Sequence, residues 1–302
     1  MSAVTVDRAA RSTSQPKLAW GRLRAYFSLI KSLQTGLLLV TAAAGYTSGC
    51  CLNLTAASLA SMLGSLFLAV SGSTVLNMAW DRDIDARMGR TARRPLAAGQ
   101  ITAREAWLLG GLLTAAGLLW ATALNLGFAA VVLAGVFFDV VIYTMLLKRR
   151  TPYSILVGGL AGGMPVLAGR VLAVGAIDGV GLLLAVGVLL WIPTHMLTFS
   201  IKYQADYARA GVPTFPAVIG VPAARRLIAV STLLAVSTFF AAGQWIGLSL
   251  PLLSVLGLLG ALLTGMVSAS LFWPRPRLNF ALYKGASIYM LASMLLLIAG
   301  GL

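Results

Sequence analysis

Apolar residues fall in nine long blocks along the chain, separated by shorter polar stretches. The blocks lie near residues 27–48, 57–79, 104–123, 126–146, 154–173, 179–200, 225–244, 249–272 and 283–302. Each approaches the ~20 residues with which an α-helix crosses the hydrocarbon core of a bilayer, so the pattern predicts nine membrane-spanning helices. Gly, Ala and Ser recur inside the blocks and let membrane helices pack closely. The tight links at 123–126 and 245–249 predict helical hairpins. Residues 1–25 are polar and basic. They read as a cytoplasmic tail ending in an interfacial segment with Trp20 and Tyr26, and residues 26–302 read as one nine-helix domain. The tail lacks the apolar core and small-residue cleavage site of a secretory signal. Its Arg and Ser content leaves a transit peptide open, a cytosolic tail being the simpler reading.

Composition agrees. Of 302 residues 59% are hydrophobic and 10% charged, and the mean hydropathy is +0.90. A soluble protein cannot bury that much apolar surface; the chain is an all-α polytopic membrane protein. The net charge of +15 invites a nucleic-acid partner, but its distribution argues against one. With nine helices and a cytoplasmic N-terminus, the inside segments are 1–26, 80–103, 147–153, 201–224 and 273–282. All of the 23 Lys and Arg residues except Arg170 lie in or beside them. This positive-inside asymmetry orients the protein in the lipid bilayer and accounts for the charge. The two cysteines, Cys50 and Cys51, are adjacent and form neither a disulfide framework nor a metal-ligand spacing.

The acidic residues are the most informative. The chain has eight, and three of them, Asp81, Asp83 and Asp85, fall within five positions directly after the second block. Arg82, Arg87, Arg90, Arg93 and Arg94 surround them. Asn77, Asp81 and Asp85 are spaced i, i+4, i+8, which places an amide and two carboxylates on one helix face. Clustered carboxylates raise one another's pKa, and a divalent cation relieves the repulsion. Oxygen ligands favour a hard ion, and Mg²⁺ is commonly held by one or two carboxylates plus substrate phosphates. The arginines offer forked donors for phosphate oxygens. The local chemistry suggests a Mg²⁺–diphosphate site at the membrane interface. A plainer reading is an acidic–basic loop in which Asp and Arg neutralise each other.

Other polar groups are sparse. Lys148, Arg149 and Arg150 end the fourth block; they serve as topological anchors or, beside the acids, neutralise a diphosphate. Lys202, Tyr203, Asp206, Tyr207 and Arg209 follow the sixth block. Asp206 either holds a second Mg²⁺ or pairs with Lys202 or Arg209. Asn77–Asp81–Asp85 and Lys202–Asp206 echo each other four blocks apart, a faint internal repeat that suggests two four-helix halves with the ninth helix added. The single histidine, His195, is a packed hydrogen-bonding residue, a haem-iron ligand or a base. Asp139 sits inside the fourth helix, where an ionisable group should face a cavity or a partner.

These blocks together resemble the UbiA superfamily of intramembrane prenyltransferases. Asn77-x3-Asp81-x3-Asp85 is similar to the superfamily's first Asp-rich motif. Three blocks resemble the haem-farnesylating branch: Asp81–Asp85 with Arg90-Thr91 and Arg94-Pro95-Leu96; Tyr143-Thr144 with Leu147–Pro152; and Pro193-Thr194-His195 with Ile201–Tyr203, Asp206–Pro213 and Pro216. The resemblance covers roughly residues 26–300. It implies nine helices around a central cavity, with Mg²⁺ as cofactor, farnesyl diphosphate as donor and haem b (protoheme IX) as acceptor. It implies that Asn77, Asp81 and Asp85 bind Mg²⁺–diphosphate, with Asp81, Asp85 and Asp206 on metal. Arg90, Arg94, Lys148, Arg149 and Lys202 would contact the diphosphate, and His195, Tyr143 and Asp139 would be acceptor contacts. The short topology without a convincing transit peptide points to a prokaryotic plasma membrane rather than a mitochondrial inner membrane, the positive-inside pattern puts the active site on the cytoplasmic side, and association with haem A synthase or oxidase assembly is expected. Two positions depart from the branch. Ala205 stands where an Asp-Asp pair is usual, and Asp139 stands where an aromatic residue is expected.

The implied reaction is ionisation of the allylic C–O bond, attack by a haem vinyl group and addition of water, giving the hydroxyethylfarnesyl group of haem O. The alternatives are a UbiA-type enzyme acting on a quinone precursor or other aromatic acceptor, a membrane transporter, and a non-catalytic haem-binding assembly factor. Clustering of the acids at one interface disfavours transport.

Overall fold

A computed structural model describes residues 15–30, 32–49 and 55–301. Cys50 and Cys51 and the first part of the expected tail lie outside the described residues. The elements are α1 (Gln15–Leu29), α2 (Ser32–Thr47), α3 (Ala56–Trp80), α4 (Arg82–Arg87), α5 (Ala103–Leu124), α6 (Leu126–Val136) and its π-helical continuation (Phe137–Leu147). Then come α7 (Ser154–Gly158), α8 (Leu160–Val174), α9 (Gly179–Lys202), α10 (Gln204–Arg209), α11 (Phe215–Val218), α12 (Val221–Ile246), α13 (Leu250–Phe272) and α14 (Pro276–Gly301). No strand occurs among the described residues. Among the described residues eight helices are long and apolar enough to cross a membrane, with Leu126–Leu147 and Ser154–Val174 each counted as one, and a bent pair makes a ninth.

That bent pair is the first expected span. It breaks by 42° between Gly21–Leu29 and Leu33–Thr47. The chain is already helical from Gln15, inside the stretch expected as a tail. The break lets Ala25 and Leu29 pack against Val75, Met78 and Ala79 of α3, burying them with Leu96, Ile101 and Ala106. The last helix begins at Pro276, several residues before the expected start. A chain-starting Pro at the first helical position costs no hydrogen bond, which explains why the polar residues before the apolar block join the helix.

Two apolar cores hold the bundle. One joins α2, α3, α5, α6 and α8 through Ala42, Met62, Leu66, Phe128, Leu167 and Val171. The other joins mainly α9, α12, α13 and α14 through Leu184, Leu197, Ile228, Phe239, Leu256 and Met294. Helices α2 and α8 cross at glycine: a Cβ on Gly45 would lie 1.9 Å from the Val166 carbonyl oxygen, and one on Gly169 would lie 2.0 Å from that of Ala42. Larger residues there would force the helices apart. The last helix packs on α2, α9 and α13, so it closes the bundle. Leu112, Leu119, Leu126 and Leu250 are exposed, as apolar side chains facing lipid would be.

Arg170, the exception to the charge asymmetry, is neutralised locally. Its guanidinium grips Asp178 at 2.6 and 3.1 Å and donates to the Ser48 carbonyl. Burial pushes the Asp178 carboxyl up, but the Arg170 hydrogen bonds and the Gly181 N–H outweigh it and hold it below its ordinary value.

Candidate active site

Helix α3 ends at Trp80, Asp81 caps it, and α4 begins at Arg82. The backbone stays near-helical through the joint: Asp81 N–H donates to the Asn77 carbonyl at 2.9 Å and Asp85 N–H to the Asp81 carbonyl at 2.8 Å. The expected face of Asn77, Asp81 and Asp85 therefore survives. Asp81 and Asp85 are buried, at 4% and 5% exposure. Each meets a cation. Lys148 Nζ pairs with Asp81 Oδ2, and Arg94 Nη1 donates to Asp85 Oδ2 at 2.7 Å. Arg149 forks onto Asp83 at 2.6 and 2.9 Å and donates to the Trp80 carbonyl at 2.8 Å. It also lies 3.7 Å from Asp81 Oδ1.

Burial pushes the Asp81 carboxyl above its ordinary value, the Lys148 charge opposing it. Burial alone would lower Lys148, but the Tyr143 and Asp81 oxygens outweigh it and hold the ammonium above its usual range. The hydrogen bonds from Arg149 hold Asp83 below its ordinary value.

The continuation of α6 is wound as a π-helix, with Lys148 N–H donating to the Tyr143 carbonyl at 2.8 Å. In an α-helix, residues five apart differ by about 140°; i→i+5 winding brings them together. So Asp139 and Thr144 both reach Asn77. Asn77 Nδ2 donates to Asp139 Oδ2 at 2.7 Å, and Ser73 Oγ donates to the same oxygen at 2.5 Å. Thr144 Oγ1 lies 2.9 Å from both Asn77 Oδ1 and the Asp139 carbonyl, so its single proton has two acceptors. Tyr143 lies against Gly158, where an added Cβ would meet its ring at 2.5 Å.

The sixth expected span has a matching end. Tyr203 caps α9, its N–H bonded to the Phe199 carbonyl at 3.0 Å, and α10 carries Asp206 and Arg209 as an ion pair. Ile84 and Met88 near α4 pack against Ala210, Val212 and Tyr207, so the two ends meet. A Cβ on Gly89 would stand 3.7 Å from Asp206 Oδ1. The faint repeat thus has a structural counterpart: each long helix caps, breaks and restarts as a six-residue helix that carries Asp and Arg, the acids pairing outside the helix in α4 and with Arg209 in α10.

Beside this joint the rings of α9 and α14 form a wall. Trp191, His195, Phe199 and Tyr203 are four residues apart on α9. His195 stacks between Trp191 (4.9 Å between centroids) and Tyr283 (4.6 Å). Phe280 stacks on Tyr283 at 6.0 Å. Pro193 lies inside α9, but Trp191 Nε1 donates to the Ala286 carbonyl and Asn279 Nδ2 to that of Thr198, each at 2.8 Å, tying α9 to α14. Ser287 Oγ lies 3.1 Å from both His195 Nδ1 and the Tyr283 carbonyl. If its proton goes to the carbonyl, His195 carries its own proton on Nδ1 and presents Nε2 as a lone pair.

The structure therefore gathers Asn77, Asp81, Asp85, Arg94, Lys148 and Arg149 at one end and His195 and Lys202 at the other, with Arg90 reaching across to Phe199. Arg90 and Lys202 contact rings rather than acids. Ser73 is missing from the sequence reading and Thr144 enters it only within a motif, without a role; a hydroxyl in an apolar helix gives no signal of its partner. Among the described residues no three His, Cys, Asp or Glu side chains are close enough to form a closed metal cage. The donor set nevertheless fits a hard cation completed by substrate oxygens. Asp81 Oδ1 is buried with no hydrogen-bond partner, and such an atom is costly unless something binds it.

Residues 32–297 match the UbiA prenyltransferase family. A protoheme IX farnesyltransferase from Archaeoglobus fulgidus is 39% identical over 282 residues, 91% of this chain and 95% of that protein. The apo structure of a UbiA homolog from Aeropyrum pernix superposes with a TM-score of 0.70 at 25% identity, covering 87% of this chain and 97% of the other. A UbiA homolog from Archaeoglobus fulgidus bound to GPP and Mg²⁺ gives a TM-score of 0.66 at 15% identity over 90% and 99%. With the acid–base joint, the aromatic wall and these matches in hand, the chain belongs to the UbiA prenyltransferase family and is a membrane-embedded prenyltransferase.

Proposed function

We propose that the protein transfers the farnesyl group of farnesyl diphosphate to a vinyl group of haem b, giving haem O, in a plasma membrane with the acid–base end facing the cytoplasm. The observation that carries the reading is the buried Asp81, ion-paired through Oδ2 yet without a hydrogen bond at Oδ1, where Arg149 stands 3.7 Å away, set beside an aromatic wall in a relative of protoheme IX farnesyltransferases. Asp81 and Asp85, with Asn77, are the residues that would hold Mg²⁺, and Asp206 would contribute from the facing end. When bound, the ion would neutralise diphosphate oxygens and improve the leaving group. The related structure bound to GPP and Mg²⁺ supports that choice of ion.

The chain's own residues do the rest. Lys148, Arg149 and Arg94 sit on the carboxylates that the cation would take over, so they are placed to turn towards the phosphate oxygens and stabilise the charge that grows as the allylic C–O bond breaks. The apolar walls keep water from the allylic cation until the haem vinyl carbon attacks it. Water then adds to the resulting cation and gives up a proton. Farnesyl diphosphate, haem b and water thus become haem O and diphosphate. His195, through Nε2, is the candidate contact to the acceptor.

The test is turnover by purified protein in detergent with farnesyl diphosphate, Mg²⁺ and haem b, products being resolved by mass. A haem O mass that disappears with EDTA is expected. Mg²⁺-dependent prenylation of an aromatic quinone precursor, with no haem product, would move the protein to another branch. Transfer to neither acceptor by folded protein would refute the reading.

A further inference from the structure

The cations at this end of the bundle fall into two groups. Lys148, Arg149, Arg94 and Arg209 are each paired with a carboxylate. Arg90, Lys202 and Lys284 make no ion pair among the described residues and lie on rings instead. Lys202 Nζ is 3.3 Å from the Phe280 centroid and 5.1 Å from that of Tyr203. Lys284 Nζ is 4.8 Å from Phe280. The Arg90 guanidinium is 4.9 Å from Phe199 and 5.5 Å from Tyr203. Shared rings therefore draw all three cations together at one end of the wall formed by Trp191, His195, Phe199 and Tyr283. The wall is only half-buried, and because His195 stacks between Trp191 and Tyr283 its rings offer apolar edges beside these cations.

Cation–π contacts of this kind are weak where water reaches them. An anion that arrives replaces them with charge-assisted hydrogen bonds, which are stronger. Because Arg90, Lys202 and Lys284 have no competing carboxylate, they need displace none to bind one. A ligand that is apolar over most of its surface and carries carboxylates on one edge matches both features, and haem b is such a ligand. We propose that Arg90, Lys202 and Lys284 form a carboxylate-binding subsite for the acceptor, receiving the propionates of haem b and so fixing which edge of the macrocycle faces the donor. This rests on the acceptor proposed above, and it removes Arg90 and Lys202 from the diphosphate contacts that family resemblance implies.

The experiment compares haem b with its dimethyl ester, in which the propionates carry no charge. Binding to the purified protein is followed by the haem absorbance, and the kinetics of farnesyl diphosphate are measured alongside. Wild type should bind the acid at least about tenfold more tightly than the ester, the worth of one charge-assisted hydrogen bond. Lys202→Gln combined with Lys284→Gln should erase that preference while leaving the KM for farnesyl diphosphate within about twofold, and Lys→Arg at both positions should restore it. Equal binding of acid and ester by a wild type that still makes haem O would overturn this subsite alone. So would a double variant that raises only the KM for the diphosphate, which would return the cations to the donor. A double variant that changes neither would make them interfacial anchors for lipid phosphate. A wild type that binds no haem at all would sink the parent reading together with this one.

Discussion

The ends of α3 and α9 are built alike but partnered differently. Both helices cap and restart as a six-residue helix carrying Asp and Arg, and the two restarts pack on each other. At the α3 end, Asp81 and Asp85 are buried and each is held by a cation from a distant segment or the following loop. At the α9 end there is one acid, Asp206, paired with the exposed Arg209, and the remaining cations lie on rings. A desolvated ion pair is expensive to create and more expensive to leave half-made. The first end is therefore poised to exchange one charged partner for another, as binding a cation with a polyanion requires. The second offers ring edges beside cations that make no ion pair among the described residues. On the proposed reading, one local scaffold serves two different ligands.

The sharpest way to break that contrast is Asp81→Asn, which keeps the shape and removes the charge. Turnover should fall by about 10³-fold or more, as when an essential charge-stabilising group is lost, and helix content by circular dichroism should stay that of the wild type. Near-normal haem O production by this variant would dismiss the α3 end as a metal and diphosphate site.

Next comes Lys148→Met against Lys202→Met. Removing Lys148 leaves Asp81 buried without its counter-charge, and kcat/KM should fall by about 10²-fold with the larger rise in the KM for farnesyl diphosphate. Removing Lys202 should act mainly on the haem KM. The check is steady-state kinetics with each substrate varied in turn; the same substrate affected by both variants would erase the division of labour between the two ends.

These residues also mark what sequence alone discloses. The spans were legible because an apolar block of ~20 residues has few alternatives in a bilayer, and the Asn77–Asp81–Asp85 face was legible because its spacing is helical through the joint. The break between α1 and α2 was not: nothing between Leu29 and Ser32 is a strong helix breaker. The π winding of Phe137–Leu147 was equally hidden, and with it the meeting of Asp139 and Thr144 at Asn77. The aromatic wall was half visible. Trp191, His195, Phe199 and Tyr203 repeat every four residues, whereas Tyr283, Phe280 and Ser287 come from another helix that no local pattern connects to them.

Asp139 tests whether the hidden winding matters. It clamps Asn77 Nδ2, and the Thr144 hydroxyl can turn from Asn77 Oδ1 to the Asp139 carbonyl, leaving the amide oxygen for a ligand. Partners that orient a ligand typically carry 10–100-fold of metal affinity or activity. Asp139→Leu should lower Mg²⁺ affinity within that range, read by calorimetry with Mg²⁺ and diphosphate as well as by the Mg²⁺ dependence of turnover. Asp139→Asn keeps an oxygen that accepts from Ser73 and Asn77 and should stay within a few-fold of wild type. Equal losses in the two variants would mean that the carboxylate's charge, not the orientation of Asn77, is what counts.

The smallest effect is expected at Asp206. Its partner Arg209 is exposed, and Ala205 beside it supplies no second acid. An ion pair with a solvent-exposed partner is worth little, about 1 kcal/mol at most, so Asp206→Asn should cost less than about tenfold in kcat/KM. The loss should shrink further as Mg²⁺ is raised, because a single added carboxylate contributes affinity rather than the site itself. The measurement is the Mg²⁺ titration of turnover for Asp206→Asn beside Asp81→Asn. If the two variants fall together and neither recovers with Mg²⁺, the α9 end holds metal as firmly as the α3 end, and the asymmetry between the two joints lies in their rings and not in their acids.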